Sequence, residues 1–372
     1  MIHIKQVNLT VIEMPLKKPF ITHLGTVSTR QAIVIEVMDE DGLCGYGECV
    51  AFSSPWYTEE TIKTALHMLK DYLIPIIFKN PIKQPEDVTA LFQSIRKNEM
   101  AKAGMETAIW DVFAKRENIP LAEYIGGVRT SVLAGAVVAT NNLEDALKQT
   151  EQLSSQGYKR IKVKINPKND YQFIQGIRSR FPHISLMADA NSAYTLNDID
   201  KLKALDDFNL LMIEQPLAVN DIVDHAVLQK QMNTPICLDE SITNYHDAYS
   251  AIQLGSCKVM NIKVGRVGGL TNAKKIHDIC VANNIDVWCG GMIEFGISRA
   301  HNIALASLPG FTLPGDLSSS NHYWHEDIID PMIEVHNGEI ATPKSPGLGF
   351  SINKKRINQV TILHEEYKAG KR

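Results

Sequence analysis

The stretch RIKVKI, residues 160–165, decides the fold and raises the first question about function. Its apolar residues alternate with Lys162 and Lys164, a pattern typical of a strand with one buried face. Because residues i and i+2 of a strand share a face, both lysines point to the same side. That side therefore either meets water or faces something anionic.

Similar apolar runs recur from residue 131 onward, and helical segments separate them. They give these candidate strands: SVLAGAVVAT, KRIKVKI, ISLMADA, LLMIEQP, PICLDES, VMNIKVG, DVWCGG and FTLPGD. Near-continuous hydrophobicity is typical of parallel strands covered by helices, and eight strand-helix units close into a barrel with a filled interior. The sequence therefore predicts an α/β fold with a TIM-like barrel.

The first third of the chain has a different pattern, in which strands precede helices. Residues 2–14 and 31–42 read as strands, and the Asp-Gly pair that ends the second marks a hairpin before a third strand, residues 44–48. Residues 98–118 carry apolar side chains at helical spacing. This part is predicted to be a separate α+β domain, to which the strand-like tail from about residue 340 returns.

Composition excludes several classes of function. The 372 residues carry a net charge of -4 with a pI near 6.3, and no long run of one charge sign favours nucleic acid or a membrane surface. No apolar run reaches the roughly 18 residues of a membrane span, and no signal-peptide pattern opens the chain. Six cysteines without a CxxC pair are typical of reduced thiols. We therefore expect a cytoplasmic protein whose partner is a small molecule.

Charged residues follow four consecutive runs at the point where each predicted strand ends. Asp189 ends SLMAD, Glu214 ends LLMIE, Asp239 ends ICLD and Lys263 ends VMNIK. Counted from Lys164, they recur roughly every 25 residues, about the length of one strand-helix unit. Each acid alone is more often a helix cap or loop residue, but several charges around one barrel rim need compensation. That rim is where such barrels place active sites.

The three acids predict a metal site. Asp189, Glu214 and Asp239 offer hard oxygen ligands with no His or Cys nearby, which suits Mg²⁺, or Mn²⁺ in its place, rather than Zn²⁺. Three lysines and a divalent ion would leave this rim positively charged, even with the neighbouring Glu240. The expected substrate is therefore a small-molecule carboxylate.

Lysines beside a metal favour proton removal next to a carboxylate. A divalent ion stabilises the enediolate that forms when the α-proton leaves. The base must be a neutral amine, and nearby cations and burial favour that form of a lysine. We expect Lys162 to hold the anion and Lys164 to remove the proton.

Together these residues resemble the enolase superfamily. KVK on the second barrel strand and Lys263 on the sixth are similar to the muconate-lactonizing enzyme subgroup, whereas mandelate racemase-type members would carry His where this chain has CGGM. Motifs similar to the o-succinylbenzoate synthase and N-succinylamino acid racemase family extend nearly end to end. They are GYGE, NEMAKAGMETAIWD, KVKI, LMADANSAY, MIEQP, ICLDESI, NIKVGRVGG, VWCGGMIEFGISRAHNIALAS and PGDLSSSN.

The resemblance implies a fold and an assembly. It predicts an α+β capping domain over residues 1–126, a (β/α)7β barrel over 127–340 and a tail over 341–372 that returns to the cap. It also implies a homo-oligomer, either a dimer or an octamer.

The resemblance implies a role for each candidate residue. Asp189, Glu214 and Asp239 would bind the metal, with Lys164 as acid and base on one face of the substrate and Lys263 on the other.

Further residues would bind the substrate or support the site. Asn191 would contact the substrate carboxylate or a metal ligand, and Glu240 would pair with Lys263 in a second shell. Backbone groups of Gly291, Met292 and Ile293 would receive a succinyl end.

The implied reaction is o-succinylbenzoate synthesis, a metal-dependent dehydration of a cyclohexadiene carboxylate in menaquinone biosynthesis. Racemisation of N-succinylamino acids, in which both lysines exchange protons, is the alternative, and one protein could carry both activities. A non-catalytic metal-binding barrel is the remote alternative, because desolvated lysines serve binding poorly.

Several positions concern substrate breadth and the mouth of the barrel. Departures from the family's usual residues, expected near the substrate pocket, are His23, Val137, Phe295 and Ser298. Loops 19–25 and 51–57 are expected over the mouth of the barrel. The aromatic residues of loop 51–57 either exclude water or pack between domains. Arg266 favours some racemase activity by resemblance, and a surface salt bridge is its ordinary alternative.

Overall fold

The N-terminal part of the chain combines an antiparallel sheet with short helices. The computed structural model describes residues 1–22, 25–138, 140 and 142–370. The elements of this part are β1 (Ile4–Thr22), β2 (Gly25–Asp39), β3 (Cys44–Cys49), α1 (Ile62–Met68), α2 (Ile74–Lys79), α3 (Asp87–Leu91), α4 (Glu99–Arg116) and α5 (Leu121–Tyr124). A π-helical turn, Leu69–Leu73, joins α1 to α2. The helix predicted over residues 98–118 is therefore confirmed as α4.

The predicted hairpin is also confirmed. β2 and β3 pair antiparallel, and Gly42 in the turn between them has a φ of 83°, which favours glycine. The glycines of GYGE let β3 lie directly on α4. A Cβ on Gly45 or Gly47 would come within 2.2 or 2.0 Å of the carbonyl oxygens of Ala108 and Gly104.

The central part of the chain alternates strands and helices. Its elements are β4 (Ser131–Leu133), β5 (Gly135–Val138), α6 (Leu143–Ser155), β6 (Arg160–Lys164), α7 (Asp170–Arg180), β7 (Leu186–Asp189), α8 (Ile199–Lys203), β8 (Ile213–Glu214), α9 (Val223–Gln229), β9 (Ile236–Leu238), α10 (Tyr245–Leu254), β10 (Val259–Ile262), α11 (Leu270–Ala282), β11 (Asp286–Cys289) and α12 (Gly296–Ala306). Short 3-10 helices, Leu196–Asp198 and Ala204–Phe208, flank α8. Strands β5 to β11 form one parallel sheet in chain order, as expected for the barrel.

An irregular segment closes the barrel where the sequence predicts an eighth strand. Residues 311–316 form no regular strand, because Pro314 has no N–H for a ladder hydrogen bond. Gly315 instead exchanges backbone hydrogen bonds of 2.7 and 3.0 Å with the β4–β5 segment. The Asp316 N–H donates to the carbonyl oxygen of Cys289 at 2.9 Å. The prediction of a strand is wrong, but this segment contacts both edges of the sheet and so closes the ring.

The C-terminal tail returns to the N-terminal sheet. The last elements are α13 (Ser320–Tyr323), β12 (Ile329–Asp330), β13 (Glu339–Ala341), β14 (Ser351–Ile352), α14 (Lys354–Val360) and β15 (Thr361–Lys368). β15 pairs antiparallel with β1, with Gln6 opposite Lys368, which confirms the predicted return. The domain limits at residues 126 and 340 stay predictions. Within the described part of the chain, we find no helix with the length and apolarity needed to cross a membrane.

The barrel interior has an apolar floor beneath a charged mouth. The floor is a buried cluster formed by Met187, Met212, Cys237, Val259 and Trp288. The first three of these residues lie two positions before Asp189, Glu214 and Asp239. Because side chains two positions apart on a strand share a face, the strands that place the floor also direct these acids inward.

Candidate active site

The charged residues at the strand ends meet at one rim of the barrel. Lys164 lies opposite Asp189, and Asp189 opposite Glu214, in the register of neighbouring parallel strands. Asp239 and Lys263 come directly after the ends of β9 and β10. A cavity opens at this rim.

Most of the residues predicted for the site line this cavity. They are Lys162, Lys164, Asp189, Asn191, Asp239, Glu240, Lys263, Gly291, Met292 and Ile293. Glu214 does not line it and is fully buried behind them. The residues inferred from spacing and those implied by the resemblance therefore share one pocket, in which the chemical role of each residue stays a prediction.

Lys164 occupies one side of the cavity. Its Nζ donates to Asp189 Oδ2 and to Asn191 Oδ1, both at 2.6 Å. Asn191 in turn donates through Nδ2 to Glu240 Oε1 at 3.0 Å. The Lys164 side chain is 20% exposed, more than any other basic side chain paired with a carboxylate of this rim. Its amine can therefore reach a molecule in the cavity.

Lys263 occupies another side, where it is buried. Its Nζ donates to Asp239 Oδ2 at 2.8 Å and to the Tyr57 hydroxyl at 2.7 Å. Burial alone would lower the pKa of Lys263, but the charge of Asp239 raises that pKa above its usual value. Burial would raise the pKa of Asp239, whereas Arg266 and Lys263 hold it below its usual range.

Two sequence-based expectations about this side are wrong. Glu240 does not pair with Lys263, because the preceding Asp239 takes that ammonium group and Glu240 accepts from Asn191. Arg266 is not in a surface salt bridge. It is 2% exposed, bonds Asp239 Oδ1 and donates to the Tyr57 hydroxyl at 3.1 Å.

Lys162 is held at the base of the cavity by three carboxylates. Its Nζ lies 2.5 Å from Asp316 Oδ2, 3.0 Å from Glu214 Oε2 and 3.3 Å from Asp189 Oδ2. Burial would lower the pKa of Lys162, but these three acids, Asp316 first, raise it well above its usual value. Lys162 is therefore a fixed cation here, and its contact with substrate stays a prediction.

Sequence reasoning missed two residues of this cluster. Asp316 also bonds Arg160, whose Nη2 lies 2.5 Å from Asp316 Oδ1. Arg160 precedes Lys162 by two positions and shares its strand face. Asp316 ends the FTLPGD run as the other acids end theirs. The strand-end pattern would have found Asp316, and the alternation along β6 would have found Arg160.

The three predicted metal ligands are crowded but engaged with cations. Within the ranges that the structure describes, no three Asp, Glu, His or Cys side chains surround one point closely enough to hold a metal ion as placed. Lysine and arginine groups take the carboxylate oxygens instead. Burial, and then repulsion by Asp189, raises the pKa of Glu214 to about 8, and Asp239 adds to the effect.

This crowding fits a divalent cation. Repulsion among buried carboxylates is what a bound cation relieves, and their oxygens are the ligands that Mg²⁺ and Mn²⁺ prefer. Nearby, Glu240 Oε2 and Ser192 Oγ are buried and have no hydrogen-bond partner within the described residues. The donor set therefore suits the predicted ion.

Aromatic residues of the N-terminal domain cover the cavity. Phe20, Phe52, Trp56 and Tyr57 line it, and the Phe52 and Trp56 rings lie 4.7 Å apart between centroids. These rings pack against one another and border the cavity, and the Tyr57 hydroxyl contacts Lys263 of the barrel. Exclusion of water by this loop stays a prediction.

The positions that depart from the family pattern lie in different places. Val137 lines the cavity. Phe295 is fully buried, and its ring centroid lies 4.4 Å from that of Trp324. Ser298 is also buried, in α12. His23 lies outside the described residues.

Comparisons with known proteins agree with this architecture. Residues 6–126 match the N-terminal domain of the mandelate racemase/muconate lactonizing enzyme family, and residues 145–356 match the enolase C-terminal domain-like family. A crystal structure of an enolase superfamily member from Listeria innocua covers 100% of both chains with a TM-score of 0.97 and 44% identity.

Two named relatives span almost the whole chain. An o-succinylbenzoate synthase of Bacillus subtilis is 54% identical over 95% of this chain and 95% of its own length. An N-succinylamino acid racemase of Thermus thermophilus is 41% identical over 96% of this chain and 97% of its own. The chain therefore belongs to the enolase superfamily, in the family of o-succinylbenzoate synthases and N-succinylamino acid racemases.

Proposed function

We propose that the protein is an o-succinylbenzoate synthase of menaquinone biosynthesis. It would remove water from 2-succinyl-6-hydroxy-2,4-cyclohexadiene-1-carboxylate to give 2-succinylbenzoate. The observation that carries the proposal is the placement of Lys164 and Lys263 at one cavity, Lys164 at the end of β6 and Lys263 directly after β10. These strand ends stand four strands apart in the ring, so a flat substrate between them would present one face to each lysine. The 54% identity to the Bacillus subtilis synthase supports this reaction.

The residues around Lys164 suit a base that becomes an acid. As a neutral amine, Lys164 would take the α-proton, and the electron pair of that C–H bond would pass toward the substrate carboxylate. The new ammonium group would then give its proton to the leaving hydroxyl as the C–O bond breaks, which releases water. Asp189 and Asn191, each 2.6 Å from Nζ, would stabilise and orient the ammonium form.

The remaining cations would stabilise the carboxylate end of the substrate. Enzymes of the enolase superfamily depend on a divalent metal ion, and we propose Mg²⁺ held by Asp189, Glu214 and Asp239. When bound, it supplies electrostatic stabilisation of the negative charge that develops on the substrate carboxylate. Lys263 would add a fixed positive charge on the opposite face, since Asp239 favours its ammonium form.

Racemisation of N-succinylamino acids is the second candidate. Lys263 would then exchange a proton with the substrate, which requires its neutral form as well. The hydroxyl of Tyr57 contacts Lys263 at 2.7 Å and Arg266 at 3.1 Å. Groups that could take part in moving the proton of Lys263 therefore lie beside it. The 41% identity to the Thermus thermophilus racemase supports keeping this activity.

Activity measurements decide between these reactions. We expect kcat/KM for the cyclohexadiene carboxylate to exceed that for N-succinylamino acids. A preference for the amino acids of about tenfold or more, or about 1.4 kcal/mol, would reverse the assignment. Absence of metal-dependent α-proton exchange in heavy water, with both substrate classes, would instead favour the non-catalytic barrel.

Replacing Tyr57 by phenylalanine is expected to lower racemase turnover by about 10- to 150-fold and dehydration by less, because a hydrogen bond to a charged group contributes about 1.5–3 kcal/mol. The missing hydroxyl bonds Lys263, which moves a proton only in racemisation. Tyr46→Phe is the matched control, since its hydroxyl bonds Glu36 and the ring does not line the cavity. Equal losses in both reactions would contradict the separate role of Lys263.

We also propose the setting in which the enzyme works. A homo-oligomer follows from the family resemblance. A cytoplasmic location without nucleic acid or membrane follows from the composition, and a small-molecule carboxylate as substrate follows from the charges at the rim. All six cysteines belong to the described residues and none forms a disulfide, which suits a reducing compartment.

A further inference from the structure

One wall of the cavity has a strained backbone. Gly291, Met292 and Ile293 follow β11 and line the cavity. Ile293 has a φ of 55°, a conformation that a β-branched residue adopts at a cost in free energy. Such a conformation persists only where the surrounding structure holds it.

A carboxylate of the N-terminal domain holds the end of this wall. Glu48 in β3 is buried, and its two oxygens accept from the backbone N–H groups of Phe295 and Ser298, each at 2.9 Å. Those groups belong to the start of α12, whose first N–H groups have no partner inside the helix. One side chain of the capping domain thus fixes the point where the wall enters a barrel helix.

An arginine of the same domain holds the strained residue itself. Arg30 is buried, and its Nε donates to the Ile293 carbonyl oxygen at 3.3 Å. Its position is fixed by a bond of 2.7 Å to the Ala51 carbonyl oxygen and by the Phe52 ring, whose centroid is 4.1 Å from Cζ. Because Phe52 also lines the cavity, Arg30 joins two walls of it.

On the barrel side, Glu294 also holds this wall, and Glu48, Arg30 and Glu294 together are called the clamp. Its Oε1 lies 3.2 Å from Arg299 Nε, and its other oxygen accepts from the Met292 N–H. Both Glu294 and Arg299 are buried. The segment between Gly291 and Phe295 is therefore held from two sides, and Glu48 and Arg30 provide the hold from the capping domain.

We propose that Glu48 and Arg30 are positioning residues, which hold the strained wall at residues 291–293 in the shape that receives the distal end of the substrate. This inference rests on the proposed function, because it assumes that the succinyl end meets this wall. Neither side chain is among the residues that line the cavity. Their loss should therefore weaken substrate binding more than it slows proton transfer.

The chain offers a matched control in Glu106. This buried residue of α4 also belongs to the capping domain and accepts from the Leu270 and Thr271 N–H groups, each at 2.9 Å, at the start of α11. It makes further bonds to Trp110 Nε1 and the Thr271 hydroxyl. Glu106→Gln therefore removes as much helix capping and domain contact as Glu48→Gln does, without touching the wall.

The test compares Glu48→Gln with Glu106→Gln in steady-state kinetics and amide hydrogen exchange. Burial raises the pKa of both Glu48 and Glu106 to about 7, so both variants are compared with the wild type at about pH 8, where the carboxylates are ionised. For Glu48→Gln we expect KM to rise about tenfold with kcat within about threefold, since one buried N–H loses its acceptor. Amides 292–294, which Glu48 does not bond, should exchange faster. Glu106→Gln should leave KM and the exchange of amides 292–294 unchanged.

Each outcome bears on the proposal. Unchanged KM and unchanged exchange at 292–294 in Glu48→Gln, or equal changes in both variants, would overturn it. If Glu48→Gln does not fold, Arg30→Met is measured in the same way, and failure of both to fold while Glu106→Gln folds would show a purely structural role. A wild type inactive on both substrate classes would contradict the proposed function alone, because exchange tests the clamp without substrate.

Discussion

Replacement of Lys164 by alanine is expected to lower kcat for dehydration by about 10³-fold, because a positioned general acid and base contributes about 10²–10⁴-fold. Lys164 would perform both proton transfers of this reaction, so its loss affects two bonds that break on the same face. The fold should survive. The Lys164 side chain is 20% exposed, and its partner Asp189 keeps Lys162 at 3.3 Å.

Rapid-quench turnover and α-proton exchange in heavy water measure this effect directly. Exchange of the substrate proton on the Lys164 face should disappear, while circular dichroism and metal affinity stay near those of the wild type. Lys159→Ala, an exposed lysine just before the same strand, is the control for loss of a charge. Residual turnover within about tenfold of the wild type would remove Lys164 from the mechanism.

The location of the site could be predicted from the sequence because two simple periods determine it. Alternation along each strand directs Lys164 and Asp189 inward, and the repeat of one strand and one helix brings successive strand ends to one rim. Neither inference needs knowledge of which side chain bonds which. The strand ends carry most of the charged side chains that line the cavity for this reason.

The ion pairs within the site depend on distances that a sequence does not contain. Tyr57 and Lys263 are 206 residues apart, and their 2.7 Å contact exists only because the capping domain lies over the barrel. The expected pair of Glu240 and Lys263 is wrong for a different reason, which lies within the barrel. Adjacent residues of a strand end point to different sides, so Asp239 reached Lys263 and Glu240 reached Asn191.

Buried charge makes these pairs interdependent. Asp189, Glu214 and Asp239 each contact a lysine or arginine, so a change at one residue alters the free energy of its neighbours' charged forms. Effects of substitutions within the cluster should therefore not add, and single variants need a control that breaks a similar pair elsewhere.

Replacing Asp239 by asparagine is expected to weaken divalent metal binding by at least about 100-fold, more than the 10–100-fold typical of changes outside the ligand set. The asparagine amide keeps the shape of the side chain but supplies one neutral oxygen instead of two carboxylate oxygens that share a negative charge. It also leaves Lys263 and Arg266 without their carboxylate. Because both cations are buried, the free energy of unfolding should fall by about 3–5 kcal/mol.

Asp316→Asn separates the two effects. Asp316 also pairs with two cations, Arg160 and Lys162, so its loss should destabilise the fold to a similar extent. It is not among the proposed ligands and contacts the two cations instead, so metal affinity should change by less than about tenfold, below the 10–100-fold range for residues that bond a ligand directly. Calorimetric titration with Mg²⁺ and Mn²⁺ measures the affinity, and urea unfolding the stability. If both variants bind metal equally well, Asp239 is not a ligand and its carboxylate serves only to hold Lys263 and Arg266 in the cavity wall.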